Sequence, residues 1–354
     1  MWPENFDELL GEIEPAIHRQ DTRMRQAISS RHRLMATLRF LTSGASFEVI
    51  SETARIAPNT LCEIVPEVCD ALWKIIGPQV IHLPTTSEEW LDIAEDFGRL
   101  WDYPRALGAV DGKHVKIFAP PHSGTVMYNY KQFFSFVILA VADAKGNFIF
   151  VDVGQEGASN DSGIFNRSKM SKLMEQGRLN LPQLHRGDPD CGYHFIGDDA
   201  FGQSATLFKP YSNDSVEEFK TTFNYRMSRA RRIVESAFGV LSHRFGIIFG
   251  PIRQDYGNAV KTVLAAITLH NYLNKKVGIN REEEQAGEQA AERAAQRAAS
   301  EPVHHVPQNP DNNLQKERLA KWFLTDEGKI KDFDQRERVY RSSRRRVPEW
   351  GPPE

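Results

Sequence analysis

The feature that most constrains the fold is a pair of apolar segments separated by one short polar turn. Phe133–Val141 is an almost unbroken apolar run, and Phe148–Val153 follows after a turn-like stretch from Asp143 to Asn147. Apolar runs of this length between turn residues are typical of buried strands, and the short connection predicts a β-hairpin. Strands that are buried need covering layers, so helices must pack against the sheet.

Helical patterns occur on both sides of this hairpin. Apolar residues recur at helical spacing before it, from about residue 31 to 74 and from 87 to 97, and after it in Asn224–Arg244 and Val260–Val277. Further strands are predicted at Ala106–Phe118 and Tyr193–Asp198. The pattern indicates an α/β (α+β) fold with a strand-rich centre and flanking helices.

The N-terminal helical segment has the layout of a helix-turn-helix. A first helix ends near Gly44, a short helix runs from Ser46 to about Arg55, and a third helix starts near Thr60. The alternative is a plain three-helix packing unit. The third helix would present Asn59, Thr60 and Glu63 outward, and this is not a basic face. We therefore expect modest DNA contact there, or self-association into a homo-oligomer.

These patterns divide the chain into three parts. Residues 1–100 are predicted to form a helical, helix-turn-helix-like domain, and residues 101–277 the α/β domain. Residues 278–354 are predicted to be a low-complexity insert followed by a basic, mobile C-terminal tail. Within that last part, the Ala/Glu/Gln/Arg-rich residues 281–300 fit either a solvated helix or a disordered insert.

Composition excludes several classes of protein. No apolar stretch approaches the roughly 18 residues of a membrane span. The N-terminus lacks the basic start and apolar core of a secretory signal, and three cysteines without a Cys-x-x-Cys pair argue against a zinc site or a disulfide framework. We expect a protein of a reducing compartment that does not enter a membrane.

The charge is distributed unevenly. The formal net charge is −3, which is unlike a generally basic nucleic-acid binder. Arginines nevertheless cluster before Glu235 and again near the C-terminus, and local positive patches can bind phosphate. The clustered arginines are Arg226, Arg229, Arg231 and Arg232, then Arg336, Arg338, Arg341, Arg344, Arg345 and Arg346.

Three acidic residues stand in settings that suit a metal ligand. Asp111 lies within the first predicted strand and is followed by Gly112, which lets a ligand approach the backbone. Asp198 ends the short apolar run that begins at Tyr193, and Glu235 lies on the amphipathic helix after the arginines. Taken singly, each acid also fits an ordinary role: a turn, an exposed loop, or an ion pair with Arg231 one helical turn away.

Five segments in order make the sequence resemble the PIF/Harbinger transposase family, and more closely the nucleases derived from Harbinger transposases. The match covers roughly Leu34 to Leu273. The segments are Asp111-Gly112-Lys113-His114-Val115, Tyr128-Asn129-Tyr130-Lys131, Asn160-Asp161-Ser162-Gly163-Ile164-Phe165, Gly197-Asp198-Asp199-Ala200-Phe201 and Asn224-Tyr225-Arg226-Met227-Ser228-Arg229-Ala230-Arg231-Arg232. The resemblance implies a ribonuclease-H-like DDE catalytic domain.

The resemblance also implies a site and a reaction. Asp111, Asp198 and Glu235 would be the catalytic residues, and Asp161 a further metal ligand. The implied activity is DNA endonuclease cleavage with divalent Mg²⁺ or Mn²⁺ through a two-metal, in-line mechanism. Candidates for contact with DNA phosphate are Lys113, His114, Lys131 and Arg231.

Partners follow from the same resemblance. Besides DNA, it implies a separate Myb-like DNA-binding protein that brings the nuclease into the nucleus, so that some protein would also be found in the cytoplasm. Arg344-Arg345-Arg346 fits a short import signal or a solvated tail. The alternative function is a domesticated, non-catalytic DNA-binding or interaction protein that retains the transposase fold. A phosphohydrolase of small molecules is a third reading, and the arginine clusters favour a long polyanion instead.

Overall fold

The computed structural model describes residues 1–183, 191–212, 217–300 and 313–330. The chain divides into two compact units, each assembled from three segments. Unit 1 comprises Met1–Pro84, Val110–Leu179 and Ile233–Pro302, and unit 2 comprises Thr85–Ala109, Asn180–Arg232 and Val303–Glu354. The clustered C-terminal arginines lie outside the described residues, so the predictions made for that tail stay predictions.

The strands form one mixed sheet in the order β3-β2-β1-β4-β5. Strands β2 and β3 pair antiparallel, whereas β1 with β4 and β4 with β5 run parallel. The predicted hairpin and the α/β class are therefore confirmed. The bounds are β1 Ala106–Lys116, β2 Ser135–Ala142, β3 Phe148–Glu156, β4 His194–Ile196 and β5 Leu207–Phe208.

The hairpin turn is fixed by one aspartate. The Oδ1 atom of Asp143 accepts hydrogen bonds from the backbone N–H groups of Lys145, at 2.9 Å, and Asn147, at 2.8 Å. Gly146 has φ 81°, a left-handed conformation that glycine adopts without steric cost. Every residue of β2 is buried, as its apolar run predicts.

Twelve α-helices are described, and they cover the predicted helical segments. A π-helical turn at Leu72–Ile76 follows α4, and a short 3₁₀ turn at Gly246–Ile248 follows α9. The helices are α1 Pro3–Ile17, α2 Ser30–Ser43, α3 Phe47–Ala54, α4 Pro58–Ala71, α5 Gly77–Val80, α6 Ser87–Trp101, α7 Asp161–Arg167, α8 Lys169–Glu175, α9 Glu218–Arg244, α10 Tyr256–Lys276, α11 Arg281–Ser300 and α12 Asn313–Trp322.

The N-terminal helices pack into unit 1 together with the β2–β3 hairpin. Helix α10 packs on α4, and the side-chain amide of Asn271 donates to the carbonyls of Val80, at 2.7 Å, and Phe148, at 2.8 Å. That one buried amide therefore ties the helical segment to β3. The three predicted helices are present as α2, α3 and α4, and their use as a helix-turn-helix stays a prediction.

Helix α6 begins where the sequence predicts, with a different capping residue. The sequence predicts Ser87 as its cap, but the N-cap is Thr86, because the Thr86 hydroxyl accepts from the Glu89 backbone N–H at 3.3 Å. The Glu89 carboxylate accepts in return from the Thr86 backbone N–H at 3.3 Å, which completes a capping box.

Residues 281–300 form a helix, one of the two alternatives that the sequence leaves open. Helix α11 approaches α9 closely, since a Cβ atom at Gly239 would lie 2.9 Å from the Cα atom of Gly287. At the same interface Arg244 donates from Nε and Nη2 to the two carboxylate oxygens of Glu283, both at 2.8 Å. This segment is therefore packed against α9 and is not merely solvated.

Two compositional expectations can be compared with the described residues. Within those ranges no helix is both long and apolar enough to cross a membrane. Cys62, Cys69 and Cys191 are free thiols, and the last two are buried.

Candidate active site

Asp111 lies where β1 leaves the apolar core. Residues Ala106 to Val110 of this strand are buried, and the next four, beginning with Asp111, are half-buried. Side chains alternate along a strand, so Asp111 and Lys113 point to one face and Gly112 and His114 to the other. The alternation therefore places the charged residues Asp111 and Lys113 together on one face of β1.

The carboxylate of Asp161 sits directly on the backbone of Gly112. A Cβ atom at position 112 would lie 2.3 Å from Oδ1 and 2.7 Å from Oδ2 of Asp161, so no residue larger than glycine fits there without displacing the carboxylate. Asp161 is the first residue of α7, whose N-cap Asn160 accepts from the Gly163 N–H at 2.8 Å. The structure thus brings Asp161 next to the Asp111-Gly112 segment.

On the other face of β1, Lys113 packs against α9. Its Nζ atom lies 5.7 Å from the centroid of the Phe238 ring. Glu235 is half-buried and precedes Phe238 by three residues, which places both on one side of the helix. Three of the four predicted metal ligands, Asp111, Asp161 and Glu235, are therefore carried by elements of unit 1.

Charges of both signs surround Lys113. Burial is the main cause of the lowered pKa of Lys113. Asp111 acts to raise this pKa, whereas Arg297 and Lys131 lower it further. Arg297 belongs to α11 and was not predicted as a site residue, because the sequence left residues 281–300 as a solvated helix or a disordered insert. Because α11 packs closely on α9, the charge of Arg297 is near enough to lower the pKa of Lys113 on β1.

His114 is less suited to binding phosphate than its sequence context suggests. Its Nδ1 atom hydrogen-bonds the Ser135 hydroxyl at 3.0 Å, and its ring meets the Tyr130 and Phe133 rings edge to face. Burial, together with Lys131, lowers the pKa of His114 to about 4. The ring is therefore neutral near pH 7, and any contact with DNA would be a hydrogen bond without charge.

The other two predicted phosphate contacts differ in exposure. Lys131 is exposed, and its Nζ atom lies 4.9 Å from the centroid of the Tyr130 ring. Arg231 is half-buried on the part of α9 that belongs to unit 2, where its charge acts on Asp199.

Asp198 lies in unit 2, two residues after β4. Its Oδ1 atom accepts from the Ala200 N–H at 2.9 Å, and Phe201 packs so closely on Gly197 that a Cβ atom there would lie 2.9 Å from the ring. Burial chiefly raises the pKa of the neighbouring Asp199, opposed by Lys209 and reinforced by Asp198. The loop thus has a defined turn with one aspartate already engaged by the backbone.

The donor chemistry of these acids fits a hard divalent cation, which prefers carboxylate oxygens. Among the described residues, however, no three His, Cys, Asp or Glu side chains are grouped so as to hold a metal ion. The contact between Asp161 and Gly112 is the observed part of the arrangement, and the complete ligand set stays a prediction.

Comparisons with known proteins agree with the family resemblance. Residues 110–271 match the family model described as DDE superfamily endonuclease, a span that begins one residue before Asp111 and includes Asp161, Asp198 and Glu235. The chain is 27% identical over 251 residues to "Protein ALP1-like" of Arabidopsis thaliana, covering 70% of this chain and 61% of that relative.

Animal relatives give a similar result. The chain is 26% identical over 275 residues to "Putative nuclease HARBI1" of Bos taurus and 25% identical over 275 residues to its Homo sapiens counterpart. Both matches cover 76% of this chain and 74% of the relative. No solved structure matches the chain significantly.

Proposed function

We propose that this chain, whose residues 110–271 form a DDE superfamily endonuclease domain, cuts DNA phosphodiesters in a metal-dependent reaction. The observation that carries the proposal is the position of the Asp161 carboxylate against the backbone of Gly112, the residue that follows Asp111. Keeping the carboxylate in this place is a physical reason for glycine at position 112, since a Cβ atom there would displace it. That reason supports a functional role for Asp161, which the sequence motif alone leaves open.

In this proposal Asp111, Asp198 and Glu235 are catalytic, and together with Asp161 they hold the metal. When bound, a pair of Mg²⁺ or Mn²⁺ ions would activate water and stabilise the leaving oxygen in an in-line displacement. The chain's own cations have a separate task. Lys113, with Arg297 and Lys131 near enough to lower its pKa, would contact the phosphates of a polyanion.

DNA is the proposed substrate because the animal relatives are named putative nucleases and because the charges of Arg297 and Lys131 act on Lys113, two residues after Asp111. A Myb-like DNA-binding partner, import into the nucleus with that partner and self-association are proposed on the family resemblance alone. The alternative, a DNA-binding protein that has kept the fold and lost cleavage, would bind the same DNA and leave it intact.

Cleavage of labelled duplex DNA by the purified chain, with and without Mg²⁺ or Mn²⁺, tests the proposal. We expect metal-dependent product from the wild type and a loss of at least about a thousandfold in Asp111→Ala and in Glu235→Ala, since each removes a group that acts in the transition state. Asp92→Asn is the matched control, because Asp92 is an exposed acid on α6.

Three results would decide against the proposal. Equal cleavage by wild type and both alanine variants would point to a contaminating nuclease. DNA binding without cleavage in either metal would favour the non-catalytic alternative. Release of phosphate from nucleotides but not cleavage of DNA would favour the small-molecule phosphohydrolase.

A further inference from the structure

The connection between β1 and β2, residues 117–134, is an exposed loop with an unusual composition. Four of the large hydrophobic residues exposed in the described chain lie in it: Phe118 at 55%, Val126 at 44%, Tyr128 at 40% and Tyr130 at 69% exposure. Aromatic rings exposed to this degree have no packing role at their outer faces. A cluster of them on one loop marks a binding surface.

The same loop lies in a stretch of chain without negative charge. From Gly112 to Ala142 the sequence contains no Asp or Glu, although the whole chain has a formal net charge of −3. Two lysines of this stretch lie over aromatic rings of the loop itself. Lys131 Nζ is 4.9 Å from the centroid of Tyr130, and Lys116 Nζ is 4.9 Å from that of Phe133. Cations beside exposed rings suit a partner with negative charge and flat apolar faces.

Side-chain hydrogen bonds of Asn129 hold the turn that carries Tyr130 and Lys131. Asn129 is 2% exposed, donates from Nδ2 to the Ser135 hydroxyl at 2.8 Å and accepts at Oδ1 from the Phe133 N–H at 3.2 Å. Because Ser135 also hydrogen-bonds His114, the turn is fastened to β1 three residues after Asp111. The exposed ring is thus held in place beside the strand that carries a proposed catalytic residue.

A shallow pocket adjoins the other end of the loop. Phe118 lines it together with Arg253, Gln254 and Asp255. Asp255 caps α10, accepting from the Asn258 N–H at 3.0 Å, and Arg253 is exposed. Aromatic ring and cation therefore occur together here as well.

From these observations we infer that residues 117–134 bind single-stranded DNA, with unpaired bases stacked on Tyr130 and Phe118 and with Lys131 and Arg253 on the phosphates. Stacking of bases on aromatic rings along a positive surface is the general basis of single-strand binding. The inference rests on the proposed function, which supplies DNA as the polyanion. It adds that the substrate must offer unpaired bases next to the site of cleavage.

Fluorescence anisotropy with a labelled 12-nucleotide dT strand, measured on the full chain in EDTA, tests this separately from cleavage. We expect Tyr130→Leu to weaken binding of the single strand by about tenfold, within the range for loss of one stacked base, and Tyr130→Phe to retain it. Binding of a duplex of equal length should change less than twofold. Trp2→Leu is the control, since Trp2 is 65% exposed and caps α1, outside residues 117–134 and the Phe118 pocket.

The outcomes separate this inference from the proposed function. Unchanged dT binding in Tyr130→Leu, an equal loss for duplex and single strand, or tighter binding of the matching rU strand would overturn the single-stranded DNA surface, even if the chain cuts DNA. A selective loss for dT would support it even if cleavage is never observed. Because Tyr130 is exposed, we expect equal melting temperatures for the variants and the wild type. Equal melting temperatures exclude misfolding as the cause of weaker binding.

Discussion

Two basic regions of this chain are candidates for phosphate binding in the sequence, but their side chains make different contacts in the structure. The arginine cluster of α9 has the higher density of charge, yet Arg226 is 2% exposed, donates to the Gly328 carbonyl at 2.7 Å and lies over the Phe323 ring at 4.2 Å. Arg229 pairs with Asp102. The loop between β1 and β2 has fewer cations, and its Lys131 is exposed beside an exposed ring.

The difference shows that a run of arginines is a weak guide to a phosphate surface. Arginine has five donors and a planar group that stacks on aromatic rings, so it is well suited to joining segments of one chain. The absence of acids from Gly112 to Ala142 is better support for the proposed phosphate surface, since no Asp or Glu within that stretch neutralises its lysines. Each region can be tested for the role that its contacts assign.

The largest expected effect is on stability. Arg226→Ala should lower the free energy of unfolding by about 2–3 kcal/mol, because a buried charged donor and its packing on Phe323 are lost. Arg232→Ala, from the exposed side of the same cluster, should change it by less than about 0.5 kcal/mol. Urea denaturation of both variants measures this. Unchanged stability of Arg226→Ala together with weakened DNA binding would contradict the structural role of Arg226.

The next effect concerns pH. Burial lowers the pKa of His194 to about 4 and that of His270 to about 3, so both are neutral when folded and take up protons more readily when unfolded. The depressed folded pKa means that stability is complete above about pH 6.5 and falls as pH drops towards 4, by up to about 1.4 kcal/mol per pH unit for each histidine.

Urea unfolding from pH 7.5 to 4.5 checks this, with His194→Gln as the informative variant. We expect it to flatten the pH dependence, whereas His122→Gln, from the exposed loop, should leave the slope as in the wild type. A slope unaffected by His194→Gln would mean that another group is responsible for the acid sensitivity.

The smallest effect is on the salt dependence of binding. Removing one phosphate contact should reduce the slope of log K against log salt concentration for a single strand by about 0.7. We expect this for Lys131→Ala. The slope should not change for Arg226→Ala measured under conditions where that variant is folded. Equal slopes in Lys131→Ala and wild type would exclude Lys131 from contact with the backbone phosphates.

Much of the fold could be predicted from the sequence, and the reasons are local. The β2–β3 hairpin follows from an apolar run and a turn aspartate, and α2, α3 and α4 follow from helical spacing and the residues that end each helix. The packing of α11 on α9 could not be predicted, because it depends on the close approach of Gly239 and Gly287, which are far apart in sequence.

The candidate site likewise combines features that the local sequence predicts with features that depend on tertiary contacts. The positions of Asp111, Asp198 and Glu235 on a strand, a loop and a helix could be predicted from flanking apolar residues. The contact of Asp161 with Gly112 and the effect of Arg297 on Lys113 could not, since both are tertiary. Burial of His114 likewise depends on Ser135 and Tyr130, and no local pattern predicts it.

The central claim is that the four proposed carboxylates bind the metal on which cleavage depends. Titration of Mn²⁺ into the purified chain, with binding followed by electron paramagnetic resonance, tests this claim most directly. Gly112→Ala is the decisive variant, since its Cβ atom would displace the Asp161 carboxylate while every acid remains; Gly11→Ala, whose Cβ atom would meet nothing within 4 Å, is the control. We predict wild-type Mn²⁺ binding in Gly11→Ala and at least tenfold weaker binding in Gly112→Ala. Equal affinity in both variants would contradict the proposed site.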